Sequence, residues 1–177
     1  MSDKQAVRMW RYVVQSDKGG SEWAVFLIDS TGMFAVVSDR GNYAFWWHAY
    51  GERDFRAFLA GLDGDYVRRK LHPDKEYDGD ATLKAVKTQI RWLRRTHALD
   101  AKQAKHERGL LTKHNRLQDR EDYALWAQDT TLDICELARY SPPNDILEFT
   151  RVIYPRFVEL LKRDLAAEAQ NVARPDS

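Results

Sequence analysis

The feature that most narrows the fold is a change of hydrophobic period near residue 50. Before it, β-branched and aromatic residues come in four short runs, 8–15, 23–28, 33–38 and 43–48. Turn clusters separate them: Asp17-Lys18-Gly19-Gly20, Asp29-Ser30-Thr31-Gly32 and Asp39-Arg40-Gly41-Asn42. Each cluster puts a glycine where a hairpin connection calls for positive φ, a region that a residue without Cβ enters freely. Connections this short join antiparallel neighbours, because parallel strands need a crossover of a dozen residues or more. The N-terminal part is therefore expected to be a four-stranded antiparallel meander.

The strand faces differ. In the first run Trp10, Tyr12 and Val14 oppose Arg11 and Gln15, the half-buried pattern of an edge strand. The three later runs are apolar on both faces: Trp23, Val25 and Leu27 against Ala24, Phe26 and Ile28, then Tyr43, Phe45 and Trp47 against Ala44 and Trp46. A bare aromatic sheet face would exceed what a soluble monomer usually exposes, so helices of the chain or a partner must cover the second face.

From Glu52 the period becomes about 3.6 and the chain reads as helices. The spacing predicts a short helix over 54–59 stopped at Gly61, another over 65–71 stopped before Pro73, and a polar loop over 72–79. A long helix capped by Asp80 then runs to about His97, followed by helices over 100–115 and 121–128 and one capped by Asp129 or Thr130 that ends near Tyr140. A last helix starts after Ser141-Pro142-Pro143-Asn144, with a kink or break at Pro155. At 177 residues, 44% of them hydrophobic, the chain is read as a single α+β domain over 1–177 with one core: sheet over 8–48, helices over 52–168 and a flexible tail over 169–177.

Charge is neutral in total and polarised along the chain. There are 28 Lys plus Arg against 27 Asp plus Glu, yet 84–116 holds ten basic residues against only Asp100 and Glu107, an excess of eight that leaves the remainder at −7. On a helix, Lys84, Lys87, Arg91, Arg94 and Arg95 fall within roughly a third of the circumference, beside a stripe of Leu83, Val86, Ile90 and Leu93. The next helix has few apolar residues and a central Gly109, and gathers Lys102, Lys105, Lys113 and Arg116 on one side. It is expected to stand out as a solvent-exposed arm. Three readings stay open for these cations: an ordinary solvated face, a docking surface for an acidic protein, or a phosphate-binding surface for nucleic acid. A second group, Trp46, His48 and Tyr50, supplies candidate aromatic contacts, Trp46 and His48 lying on the face opposite Phe45 and Trp47.

No pattern predicts catalysis, a metal or a cofactor. Asp74, Glu76, Asp78 and Asp80 with Gly79 mimic a calcium loop, but the twelfth position, which needs a bidentate carboxylate, is Ala85. The five histidines show no pair at helical ligand spacing, and phosphate-cradling glycine loops and nucleophile elbows are missing. Cys135, the single cysteine, is read as a small hydrophobe on an apolar helix face among Leu132, Ile134 and Leu137. A lone cysteine suits a reducing cytoplasm, and the apolar runs are too short for a signal peptide or a membrane span.

Two segments resemble small accessory proteins encoded by tailed phages and prophages of proteobacteria. The first is Trp23-Ala24-Val25-Phe26 through Asp39, with Gly41-Asn42-Tyr43-Ala44-Phe45 and Asp54-Phe55-Arg56. The second is Cys135-Glu136 through Tyr140-Ser141-Pro142-Pro143-Asn144. The resemblance implies a phage context, in which small accessory proteins act by binding a host component. The expectation that follows is a non-enzymatic binding protein in the host cytoplasm that inhibits or redirects a host factor, such as a CRISPR-type or restriction complex. The alternative is a nucleic-acid-binding protein that uses the basic helices 84–116.

Overall fold

The computed structural model describes residues 6–16 and 22–172. The chain divides into two compact units, Met1–Pro73 with Pro143–Ser177, and Asp74–Pro142 between them in sequence. Two clusters of buried hydrophobic residues are found where the length suggested one core.

The first unit is built on the expected meander. Strands β1 (Met9–Val14), β2 (Ala24–Asp29), β3 (Met33–Ser38) and β4 (Gly41–Trp46) follow one another in that order, each antiparallel to the last. Tyr12 pairs with Phe26, Phe26 with Val36 and Val36 with Tyr43, so successive strands send these side chains to one face. The β2–β3 turn is held by the Asp29 carboxylate, which accepts from the Thr31 amide and hydroxyl and from the Met33 amide. Gly32 there has φ +94°, and a Cβ on it would lie 2.2 Å from the Trp47 carbonyl oxygen, so no other residue fits. The connector 17–20 lies outside the described residues.

Four helices cover the inner sheet face: α1 (Phe55–Ala60), α2 (Gly64–Leu71), α6 (Asn144–Glu148) and α7 (Tyr154–Val172). Asp54 and Asp63 cap the first two, as the spacing of apolar residues behind them requires. Phe157 of α7 stacks on Phe26 of β2 at 3.9 Å between centroids. The break expected at Pro155 takes the form of a π-helical stretch, Phe149–Ile153, just ahead of it. α7 continues to Val172, so 169–172 are helical where a tail was expected, and 173–177 lie outside the described residues.

Arg56 is buried against this core. Its guanidinium donates to Asp54 (Nη2–Oδ2 2.6 Å), Asp164 (Nη1–Oδ2 2.8 Å) and Glu168 (Nη2–Oε2 2.6 Å), and lies 4.7 Å from the Trp10 ring centroid. Tyr12 donates its hydroxyl to the same Asp164. One cation thus ties α1 to the end of α7 and to β1. Its hydrogen bonds hold the Asp54 and Glu168 carboxyls below their ordinary range, while burial first, and the Asp164 bond next, push the Tyr12 hydroxyl up.

In the second unit the helices are α3 (Gly79–Arg95), α4 (Ala101–Lys113) and α5 (Arg120–Asp129). A two-residue bridge pairs β5 (Glu76–Tyr77) with β6 (Tyr140–Ser141), inside what reads as loop and helix end. The cap of α3 is Asp78, whose carboxylate accepts from the Ala81 amide, and not Asp80. The helix expected to end near Tyr140 does not form: residues after Thr130 turn repeatedly, Glu136 has φ +60°, and Cys135 is exposed instead of lying on an apolar helix face. α4 is no arm either. It buries Ala104, Leu110 and Leu111, and also Glu107, whose carboxylate accepts from the Thr130 and Thr131 hydroxyls at 2.6 and 2.7 Å. A buried glutamate satisfied by a distant loop is invisible to a periodicity that counts it as polar.

Candidate functional site

The basic residues of 84–116 all fall in the second unit, on α3, on α4 and on the turn after it. α3 turns Thr82, Val86 and Ile90 inward, one residue per turn, which fixes Lys84, Lys87, Arg91 and Arg95 as exposed. Between α3 and α4 a cleft of about 460 Å³ is floored by the buried Ile90 and Leu111 and the half-buried Leu83, and bordered by exposed Lys87, Arg91, Arg108, Thr112 and Arg116. Four cations converge on it, and its lining contains no carboxylate.

Arg116 reaches that rim through an unusual backbone. Asn115, Arg116 and Leu117 have φ of 48°, 58° and 59°, three consecutive non-glycine residues in the left-handed region. Each costs about 1–2 kcal/mol against a right-handed turn, so something must hold them. Leu117 is fully buried, its carbonyl accepts from the Tyr77 hydroxyl at 3.1 Å, and the Asn115 amide group donates to Asp122 at 3.1 Å. Gly79 makes the close approach possible: a Cβ there would stand 2.5 Å from the Gln118 carbonyl oxygen and 2.7 Å from that of Leu117.

Beside the cleft, Thr88, Gln89, Arg91, Trp92 and Arg95 line a second, shallower depression. Trp92 is 48% exposed, an indole on the solvent side of an otherwise amphipathic helix. Arg91 borders both depressions, so the cationic rim and the aromatic ring form one continuous surface. Trp92 was missed as a site residue by sequence reasoning. The signal was present, since at 100° per residue Trp92 stands about 240° from Val86, well away from the buried stripe.

The predicted cations divide into two sets. Lys113 pairs with Asp129 at 2.5 Å, and His114 shares that carboxylate at 2.8 Å; hydrogen bonds from Lys113 first and His114 next hold the Asp129 carboxyl below its ordinary range. Arg94 donates to the Leu99 carbonyl at 2.7 Å, closing the turn after α3. These two are committed to the fold. Among the described residues, Lys84, Lys87, Arg91, Arg95, Lys102, Lys105 and Arg116 form no ion pair, although Lys84, Lys102 and Lys105 lie outside both depressions; Arg108, equally without an ion pair, joins the rim as a cation that the grouping by helix face had not singled out. The aromatic candidates belong to the first unit. Trp46 and His48 are exposed with rings 4.7 Å apart, whereas Tyr50 is half-buried, donates to the Ser30 carbonyl and packs 4.9 Å from Phe55.

Among the described residues no group of three or more His, Cys, Asp or Glu is placed to hold a metal, and no helix is long and apolar enough to cross a membrane. Residues 5–163 match the model of a phage family, Phage_phiTE_072. No curated protein and no solved structure matches the chain.

Proposed function

The chain belongs to this phage family, and from that premise we propose that it is a non-enzymatic binding protein whose working surface is the α3–α4 face, which engages nucleic acid with unpaired bases. The observation that carries this reading is the junction at Arg91: four cations without carboxylate partners meet a bare indole. Guanidinium and ammonium groups neutralise phosphates and release condensed counterions, and an exposed ring gives bases a stacking platform worth about 1–3 kcal/mol each. Unpaired bases are specified because only they can present a π-face to Trp92. The cations are spread over two helices and the turn after the second, not along one helix that could enter a groove, which suits backbone and stacking contacts better than base reading.

A titration of a fluorescently labelled single-stranded oligonucleotide, followed by anisotropy and competed with the duplex of the same sequence, tests it. Saturable binding with preference for the single strand supports the reading. Equal affinity for both forms removes the stacking role of Trp92, and no binding at low salt removes the reading altogether.

Membership of a phage family favours a second reading, in which the same face meets an acidic surface of a host factor such as an antiviral defence complex. Opposite potentials would steer that encounter without any need for stacking. It predicts a complex of fixed stoichiometry with a purified host protein that survives nuclease treatment, together with failure of the oligonucleotide titration.

A further inference from the structure

The outer face of the meander is apolar and open. Its rows run Arg11–Leu27–Ala35–Ala44 and Val13–Val25–Val37–Asn42, with Met33 opposite Trp46 at the end. Met9, Val13, Trp23, Leu27, Val37 and Trp46 are 61%, 36%, 43%, 40%, 51% and 53% exposed. The helices of the first unit pack on the other face, where Phe26, Phe34 and Val36 are buried. We propose that this outer face is the interface of a homodimer, in which a second copy of the chain closes the open sheet into a two-sheet sandwich.

Area is the first reason. The six large exposed side chains alone present on the order of 500 Å², at the upper end of what a monomer leaves bare. Adding the half-buried Val25, Met33 and Ala35 and the exposed Ala44 brings the face close to the ~800 Å² per partner of a standard interface. Electrostatics is the second. The two central rows contain a single ionisable side chain, Arg11, on edge strand β1. Asp29, opposite Met9 at the end of the face, is buried with its carboxylate held by the β2–β3 turn, and His48 stands beside Trp46 at the margin, so the centre of the face suits another neutral face and offers little to a charged partner. Geometry is the third. Two sheets pack with strands nearly aligned, and a two-fold axis along the strands sets β1 of one copy over β4 of the other. Each Arg11 then lies at the border near Ala44 of the mate, and the two like charges stay a sheet's width apart. Trp46, whose Nε1 donates to the Thr31 carbonyl at 2.7 Å and so keeps its indole in place, is the anchoring ring.

Sedimentation equilibrium of the full chain across a concentration series tests the proposal. The expected result is a reversible dimer of the 20.7 kDa chain with a dissociation constant in the micromolar range or below. Val37→Lys and, separately, Leu27→Lys each place a charge in the centre of the face and are expected to weaken association by at least thirtyfold. Circular dichroism and thermal melts show whether each variant is still folded, and Ala57→Lys, on the exposed side of α1, is expected to dimerise like the parent chain. A parent chain that stays monomeric up to about 100 µM overturns the proposal. So does a dimer that folded Val37→Lys and Leu27→Lys proteins retain.

Discussion

Arg56 in the first unit and Arg91 in the second carry the same guanidinium to opposite ends. Arg56 has a side chain 1% exposed and meets three carboxylates, Asp54, Asp164 and Glu168, each within hydrogen-bond distance. Arg91 stands in water beside Lys87, Arg108 and Arg116, and no carboxylate lines the cleft they share. Folding cannot leave a charge in a core unpaired, because desolvation alone would outweigh the rest of the stability. The surface imposes no such demand. Cations gathered there without partners repel one another, and the fold keeps Arg116 among them through three left-handed residues that are themselves unfavourable. Cations gathered without partners, on a segment whose backbone the fold must hold by other contacts, are the observation on which the proposed phosphate contact rests.

That contrast can be broken most directly at the buried end. Arg56→Ala is expected to cost about 3 kcal/mol in chemical denaturation, at the low end for a broken buried pair because the stranded carboxylates are partly exposed and can hydrate. Arg91→Ala is expected to stay within about 0.5 kcal/mol of the parent chain. Equal losses at the two positions would erase the distinction. Acid probes the same network. Asp54 and Glu168 have folded-state carboxyls below their ordinary range, so their stabilisation is complete above that range and is lost as pH falls through the depressed values. Equilibrium unfolding of the parent chain is expected to weaken below about pH 4, and Arg56→Ala is expected to flatten that dependence.

A smaller effect belongs to the ring. Trp92→Ala is expected to weaken single-strand binding by about 1–3 kcal/mol, roughly five- to 150-fold, while leaving its salt dependence unchanged, because stacking releases no counterions. The smallest concerns the cap that starts the basic helix. Asp78→Ala is expected to lower stability by about 1 kcal/mol, whereas Asp80→Ala changes it by a few tenths, read from thermal melts.

The meander was readable because its determinants are local. Gly32 sits at φ +94° inside its turn and Gly41 at φ +106° where the next turn hands over to β4, and alternation within each run marks its faces. The α+β organisation followed from the change of period. What escaped depends on residues far apart in the chain. Tyr140 pairs with Tyr77, and the Arg139 amide donates to Thr82, so 130–140 is shaped by contacts some sixty residues away and not by its own helical spacing. Asp78 and Asp80 are equally good caps on paper. The choice falls to Asp78 because Gly79 must lie against the turn at Leu117 and Gln118. The cations were legible as a cluster, but their pairing was not: nothing local distinguishes Lys113, held by Asp129, from Arg116, which rims the cleft. Trp92 was legible and overlooked, since an apolar residue off the buried stripe is itself the signal.

The cleft faces its sharpest test in the salt dependence of single-strand binding, compared between the parent chain and the Arg91→Gln/Arg108→Gln protein. Four neutralised phosphates give a slope of log affinity against log salt of about −3, and removing two cations brings it to about −1.4. Equal slopes in the two proteins, or no measurable binding by the parent chain at low salt, would show that the rim of the cleft does not hold phosphates.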